Sequence, residues 1–211
     1  MQEKYSPHLH ERLYMNYRFE HDWFSNNIEN LTKIFKGYSN PNPPRILEIG
    51  SLEGRSSVWF LDNIPESRIT CVDTWAGGKD HSEDNPEIHF GRIKSNFDYN
   101  VSKFGNRVEP IQSTSFQAMT WMITEGRTYD FIYIDGSHTA EDVNLDMILA
   151  FKLMKPGSVI YADDYYWGFA DQTIYDSPKL GIDSFVNVYA DRLQPLHGLG
   201  NNGIAFMKVK E

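Results

Sequence analysis

Apolar and aromatic side chains recur at helical spacing along residues 8–36, at positions such as Leu9, Leu13, Tyr17, Trp23, Phe24, Ile28, Leu31, Ile34 and Phe35, which predicts one or two amphipathic helices. The breaker-rich stretch 37–44 closes them. From residue 45 the pattern changes to short apolar runs alternating with amphipathic ones. Residues 45–49 read as a buried strand, followed at once by Gly50 and Gly54 and a helix over 56–63, a strand–glycine turn–helix unit. Strands follow at 68–72, closing on Asp73, and at 107–111, with a helix over 87–100 between them. The second half continues with a helix at 116–124, a strand at 129–134, a helix at 140–154 and a strand at 158–162. In the helix at 140–154, Val143, Met147, Phe151 and Met154 build one apolar face, and Pro156-Gly157 stops it. A helix over 180–192 then precedes two short stretches, 194–199 and 203–209, around the turn Gly200-Asn201-Asn202-Gly203, the signature of an antiparallel hairpin. This alternation predicts an α/β fold, a doubly wound, mostly parallel seven-stranded sheet ending in a C-terminal antiparallel hairpin. Residues 1–44 read as an N-terminal helical cap and 45–211 as the principal domain.

Composition narrows the function classes. The 211 residues hold 20 Lys and Arg against 29 Asp and Glu, a net charge of −9, which lacks the basic footprint of a nucleic-acid partner. No apolar run is long enough for a membrane span, and residues 1–17 mix charges and His without a signal-like core. A single cysteine, Cys71, suits a reducing compartment. A cytoplasmic protein without membrane or nucleic-acid partners is the expectation, and the aromatic-rich ends suit a homodimer.

The glycine turn carries the first candidate chemistry. It lets backbone approach a ligand closely, and the following helix start offers free N–H groups to a negative group. Dinucleotides and S-adenosylmethionine both exploit this, and a tight turn without ligand uses the same residues. Asp73, about twenty residues after the turn and at the end of the second strand, is placed to accept both ribose hydroxyls of either cofactor.

Four motifs then stand in order at strand ends: Glu48-Ile-Gly-Ser-Leu-Glu-Gly-Arg-Ser56, Cys71-Val-Asp-Thr-Trp75, Tyr133-Ile-Asp-Gly-Ser-His138 and Tyr161-Ala-Asp-Asp-Tyr165. Together they resemble the class I S-adenosylmethionine-dependent methyltransferases, most closely the small-molecule O-methyltransferase branch with its catechol-type and macrocin-type members. The resemblance spans about residues 45–209 and implies a Rossmann-like fold whose last strand enters the sheet antiparallel. Leu52 stands where the usual three-glycine signature has its middle glycine, which argues against an ordinary dinucleotide fingerprint. By this resemblance Glu48, Gly50, Ser51, Gly54, Ser56, Asp73, Thr74, Trp75, Thr114 and Asp135 surround S-adenosylmethionine. Ser56 would bind its carboxylate, Asp73 its ribose and Thr114 its adenine, while Trp75 either shelters the adenine or simply packs.

Asp135 ends one strand and Asp163-Asp164 the next, so three carboxylates converge on the ligand-binding edge. A hard divalent cation would relieve their repulsion and lower the pKa of an acceptor hydroxyl; catechol-type relatives hold Mg²⁺ at the corresponding positions. Capping roles and a contact to the cofactor amine are the other reading of these acids. His138, three residues beyond Asp135, falls where such relatives carry a base, usually lysine, and can serve as one at neutral pH, or it begins a helix. Asp135 and His138 are therefore the candidate catalytic pair. The aromatic stretch 165–169 suits an acceptor wall, the glycine-rich stretch 75–81 a lid, and His8 and His10 read as surface residues. A metal-assisted O-methyltransferase acting on a small-molecule hydroxylated acceptor is the leading expectation. A metal-independent N- or O-methyltransferase, an NAD-dependent oxidoreductase and a non-catalytic cofactor-binding protein are the alternatives.

Overall fold

The computed structural model describes residues 16–37, 42–77, 90–168, 173, 175, 177–197, 199–200 and 203–211. His8, His10, residues 78–81 of the glycine-rich stretch, residues 87–89 of the expected third helix, Phe169, Asn201 and Asn202 lie outside them.

Seven strands form one sheet: β1 (Arg45–Ile49), β2 (Arg68–Asp73), β3 (Val108–Gln112), β4 (Tyr129–Ile134), β5 (Met154–Ala162), β6 (Leu193–Pro195) and β7 (Ile204–Lys208). Their order is β3-β2-β1-β4-β5-β7-β6. The first five are parallel, whereas β7 inserts antiparallel between β5 and β6. This is the α/β sheet with a terminal hairpin that the sequence pattern predicts, in the Rossmann-like form that the resemblance implies. Six α-helices accompany it among the described residues: α1 (Ile28–Lys36), α2 (Arg55–Asn63), α3 (Phe90–Val101), α4 (Ser115–Thr124), α5 (Ala140–Lys152) and α6 (Pro178–Tyr189). None is long and apolar enough to cross a membrane.

Alternation along the strands divides the core into two. Leu47 and Ile49 of β1 join Ile132, Ile134, Ile160 and the inner faces of α4, α5 and α6. Ile46 joins Ile69, Phe131, Tyr133 and Tyr161 beneath α1, α2 and α3. Strands covered on both faces lose the apolar–polar alternation and read as continuous apolar runs, as these do.

Two elements depart from the pattern. Of the one or two helices expected over 8–36, residues 8–15 lie outside the described residues, and the described part is helical only from Ser25. In the preceding stretch, Arg18 N–H donates to Asn100 Oδ1 at 2.6 Å and Glu20 N–H to Glu53 Oε2 at 2.8 Å, so side chains elsewhere take the donors that a helix would satisfy internally. Helix α5 ends at Lys152, not 154, and β5 begins at Met154. The strand passes through Pro156-Gly157 with a register shift against β4, Gly157 taking φ +92°. Pro156-Gly157 therefore bends a strand, not a helix end.

Candidate functional site

The carboxyl ends of β1, β2, β4 and β5 meet at one sheet edge, where they deliver Gly50, Asp73, Asp135 and the pair Asp163-Asp164. Gly50 has φ +85°, and a Cβ there would lie 1.9 Å from the carbonyl oxygen of Asp135. Only glycine lets the turn after β1 close on the turn after β4. Gly54, at φ +78°, precedes α2, and a Cβ would meet the Phe97 ring at 3.0 Å. Leu52 occupies the left-handed region at φ +44°, a conformation that glycine adopts without strain.

Asp73 holds this turn from below. Its Oδ2 accepts the N–H groups of Ser51 at 2.9 Å and Leu52 at 2.8 Å, and its Oδ1 accepts that of Trp75 at 2.7 Å. A carboxylate has about four acceptor sites, so a ribose diol must displace at least one of these donors. Beside the turn, Glu48 is fully buried. Burial pushes its carboxyl up, while the hydroxyls of Ser56 and Ser57 pull it back. The Ser57 hydroxyl donates to Oε2, but Glu48 Oε1 and the buried Ser51 Oγ have no hydrogen-bond partner among the described residues. Unpaired buried polar atoms of this kind ask for a ligand.

The other expected cofactor residues are distributed as follows. Ser56 lies in the first turn of α2. The Thr74 hydroxyl accepts Ala76 N–H at 3.2 Å. Trp75 is buried against Phe97, ring centroids 4.8 Å apart, and its indole N–H donates to Leu52 O at 2.9 Å. Thr114 caps α4, its hydroxyl accepting Gln117 N–H.

The acids divide into an inner and an outer set. Asp163 is buried: the Tyr133 hydroxyl donates to its Oδ2 at 2.6 Å, the Asn27 carboxamide donates to the same oxygen, and Asp164 N–H donates to its Oδ1 at 2.8 Å. Burial, reinforced by the neighbouring Asp164 charge, raises its carboxyl to about 7. Asp135 is likewise pushed well above the usual carboxylate range, by burial first and then by the charges of Asp163 and Asp164. Asp164, at φ +54°, turns outward, its Oδ2 lying 3.1 Å from His138 Nε2. The His138 ring stacks on Trp167 at 4.3 Å, and Thr139, one residue on, caps α5. Ligand-capable atoms of Asp135, His138 and Asp164 lie within 4.8 Å of one another. Asp163, expected with the other two acids, is instead bonded inward.

The sequence model of a methyltransferase domain family matches residues 47–165, more than half of the chain. The chain belongs to this family. Comparison with curated proteins finds no match. Among solved structures, the chain is similar to an O-methyltransferase from Bacillus cereus in complex with SAH, at 21% identity over 96% of this chain and 88% of that one, TM-score 0.60. It is similar to TomG from Streptomyces achromogenes, an O-methyltransferase involved in tomaymycin synthesis and in complex with SAM, at 18% identity over 88% and 79%, TM-score 0.60. MycE, from the mycinamycin biosynthetic pathway and in complex with Mg, SAH and mycinamycin VI, matches at 19% identity over 96% of this chain and 54% of its own, TM-score 0.61. At these identities the likeness is one of fold.

Three residues of this methyltransferase's site region escape the motif reading. Glu53, within the glycine turn, is buried and accepts Glu20 N–H at 2.8 Å and Asn96 Nδ2 at 2.8 Å. Asn27 lies one helical turn before Asn30; its Oδ1 accepts the Tyr161 hydroxyl at 2.6 Å, and Asn30 donates to that hydroxyl at 3.1 Å. Asp146 sits on the inner side of α5, 3% exposed, and burial raises it to about 7. Each is a polar residue interrupting an apolar face or turn, the signal that periodicity alone discards.

Proposed function

We propose that the chain transfers a methyl group from S-adenosylmethionine to the oxygen of a small hydroxylated acceptor, assisted by a divalent cation. The observation that carries this reading is a single sheet edge where the unpartnered Glu48 Oε1 and Ser51 Oγ stand beside the Asp135–His138–Asp164 group. Glu48 Oε1 can accept from the cofactor's ammonium, Ser51 Oγ can bond its amino-acid end, and the α2 start with Ser56 suits its carboxylate. Asp73 takes the ribose hydroxyls by giving up a backbone donor. For the cation, Asp135 and Asp164 supply hard oxygen ligands, with Asp163 behind them as a buried support. When bound there, a divalent cation lowers the pKa of the acceptor hydroxyl. His138 accepts the hydroxyl proton or completes the ligand set, and its 3.1 Å approach to Asp164 suits either. Beside Asp164, the residues Tyr165, Tyr166, Leu196, His197 and Leu199 line a cavity of about 230 Å³, a fitting size for part of a small acceptor. The SAH, SAM and Mg complexes of the structural relatives support the cofactor and metal assignments.

Calorimetry with SAH, NAD and Mn²⁺ tests this. SAH and Mn²⁺ should bind, NAD should not, and Asp164→Asn should weaken Mn²⁺ while leaving SAH affinity intact. Binding of NAD in place of SAH overturns the reading; full Mn²⁺ affinity in Asp164→Asn removes the metal assignment alone.

A further inference from the structure

At the opposite edge of the sheet, where the parallel strands begin, Arg45 of β1 and Arg68 of β2 are direct partners in register. Arg107 immediately precedes Val108, the partner of Ile69, and so continues the row on to β3. Neighbouring strands lie about 4.8 Å apart, and like charges set directly opposite one another destabilise a sheet. All three arginines line one cavity of about 420 Å³, together with Thr70, Asn106 and Tyr129.

The charges around this cavity do not cancel. The Arg107 guanidinium donates to the carbonyl oxygens of Ser67, Leu61 and Ile64 and to the Ser67 hydroxyl, all neutral acceptors that leave its charge standing. Glu109, also on the cavity wall, is engaged by Arg127 at 3.0 and 2.8 Å and by the Thr70 hydroxyl at 2.9 Å. The nearby Asp130 carboxylate accepts the Arg45 backbone N–H at 2.8 Å. Among the described residues no ion pair joins Arg45, Arg68 or Arg107 to a carboxylate. The Asp130 charge, bonded only to a neutral N–H, also stands, so a chain of net charge −9 sets three guanidiniums against one nearby free carboxylate, a local excess of positive charge away from the methyltransferase edge.

We propose that this cavity binds a small molecule carrying two or more phosphoryl groups. Guanidinium forks match phosphate oxygens in pairs; Arg45 and Arg68 offer theirs, while Arg107, with Nε and Nη2 held by Ser67, Leu61 and Ile64, adds its charge and Nη1, a row that suits a chain of phosphoryl groups better than a single anion. The Thr70 and Asn106 side chains add neutral polar groups to the wall, and the volume falls within the ~300–1,000 Å³ of small-molecule sites.

The test is calorimetry of the full chain with inorganic pyrophosphate, paired with thermal unfolding. Pyrophosphate should bind and raise Tm, more weakly as salt rises. Arg68→Ala should weaken it by about tenfold or more, the loss of a charge-assisted bond, and Arg68→Lys should recover part of that. Without pyrophosphate, Arg68→Ala should unfold at the same temperature as the parent or higher, since it removes like-charge repulsion. SAH affinity should be equal in all forms. Absence of pyrophosphate binding, binding indifferent to both Arg45→Ala and Arg68→Ala, or displacement of pyrophosphate by SAH would each overturn the proposal. Tighter binding of a single-stranded oligonucleotide than of pyrophosphate would also overturn it, in favour of a nucleic-acid contact.

Discussion

Replacing Asp146 by asparagine should stabilise the protein at pH 8 and leave it unchanged near pH 4. The side chain lies on the inner face of α5, 3% exposed, behind the turn that carries Asp135 and His138. A Cβ added at Gly136 would stand 3.9 Å from its Oδ2. Burial raises the carboxyl from its ordinary 3.8 to about 7, opposed by a hydrogen bond from Ser115 and reinforced by Asp142. An acid whose folded pKa is raised destabilises the fold once the unfolded chain can ionise it. The penalty is absent below about pH 4, grows between the two pKa values and is complete above the folded one. Each tenfold change in proton affinity is worth about 1.36 kcal/mol, so the rise bounds the full penalty at about 4 kcal/mol. Asparagine keeps an oxygen to accept the Ser115 bond but carries no charge, so it should recover much of that amount. Urea unfolding of both proteins from pH 4 to 8.5 reads the difference directly, and the other buried acids cancel between them. A variant no more stable than its parent at pH 8, or one already stabilised at pH 4, would refute the reasoning.

Three further outcomes follow from the site. Asp73→Ala should weaken SAH binding by about 1–3 kcal/mol, the scale of a hydrogen bond to a charged group; unchanged affinity in calorimetry would remove Asp73 from the ribose. His138→Ala should lower turnover with a competent acceptor by about 10²- to 10⁴-fold if it is the base, with Mn²⁺ affinity preserved. Loss of Mn²⁺ binding would make it a ligand instead. Glu53→Ala strands the N–H of Glu20 and the Asn96 carboxamide, and should cost about 2–4 kcal/mol in urea unfolding, with faster proteolysis near residues 18–21 as the local signature.

The sheet was legible because its strands report burial on both faces. Ile46, Leu47 and Ile49 in one run and residues 131–134 in another put apolar side chains on both faces, and no helix of that length would need two covered faces. The reading failed where backbone donors are satisfied from far away. Residues 18–21 carry aromatic neighbours at helical spacing, yet the N–H groups of Arg18, Glu20 and His21 go to Asn100 and Glu53, partners 32 to 82 residues distant that no local window contains. It failed again at Met154, where apolar spacing continues past the end of α5 into a strand. Motif order located the site edge, but not which carboxylates face outward. Asp163 and Asp164 are adjacent and chemically identical, and distant partners separate them, Tyr133 and Asn27 for the first and His138 for the second.

Those partners also explain why the N-terminal segment belongs to the site's energetics. Apolar contacts tolerate repacking, whereas a buried polar group left without a partner costs its full desolvation. Asn27 bridges the Asp163 carboxylate and the Tyr161 hydroxyl, while Asn30 holds that same hydroxyl and accepts Gly200 N–H at 2.6 Å. Displacing this segment would therefore strand the Tyr161 hydroxyl in the core, remove one of the three donors to Asp163 and free the Gly200 N–H in a single event. Tyr133, whose hydroxyl donates to Asp163 and lies 3.3 Å from Asp135, carries the same constraint to the outer acids. Short amide side chains transmit it because each can donate and accept at once, which an aliphatic residue of equal size cannot do.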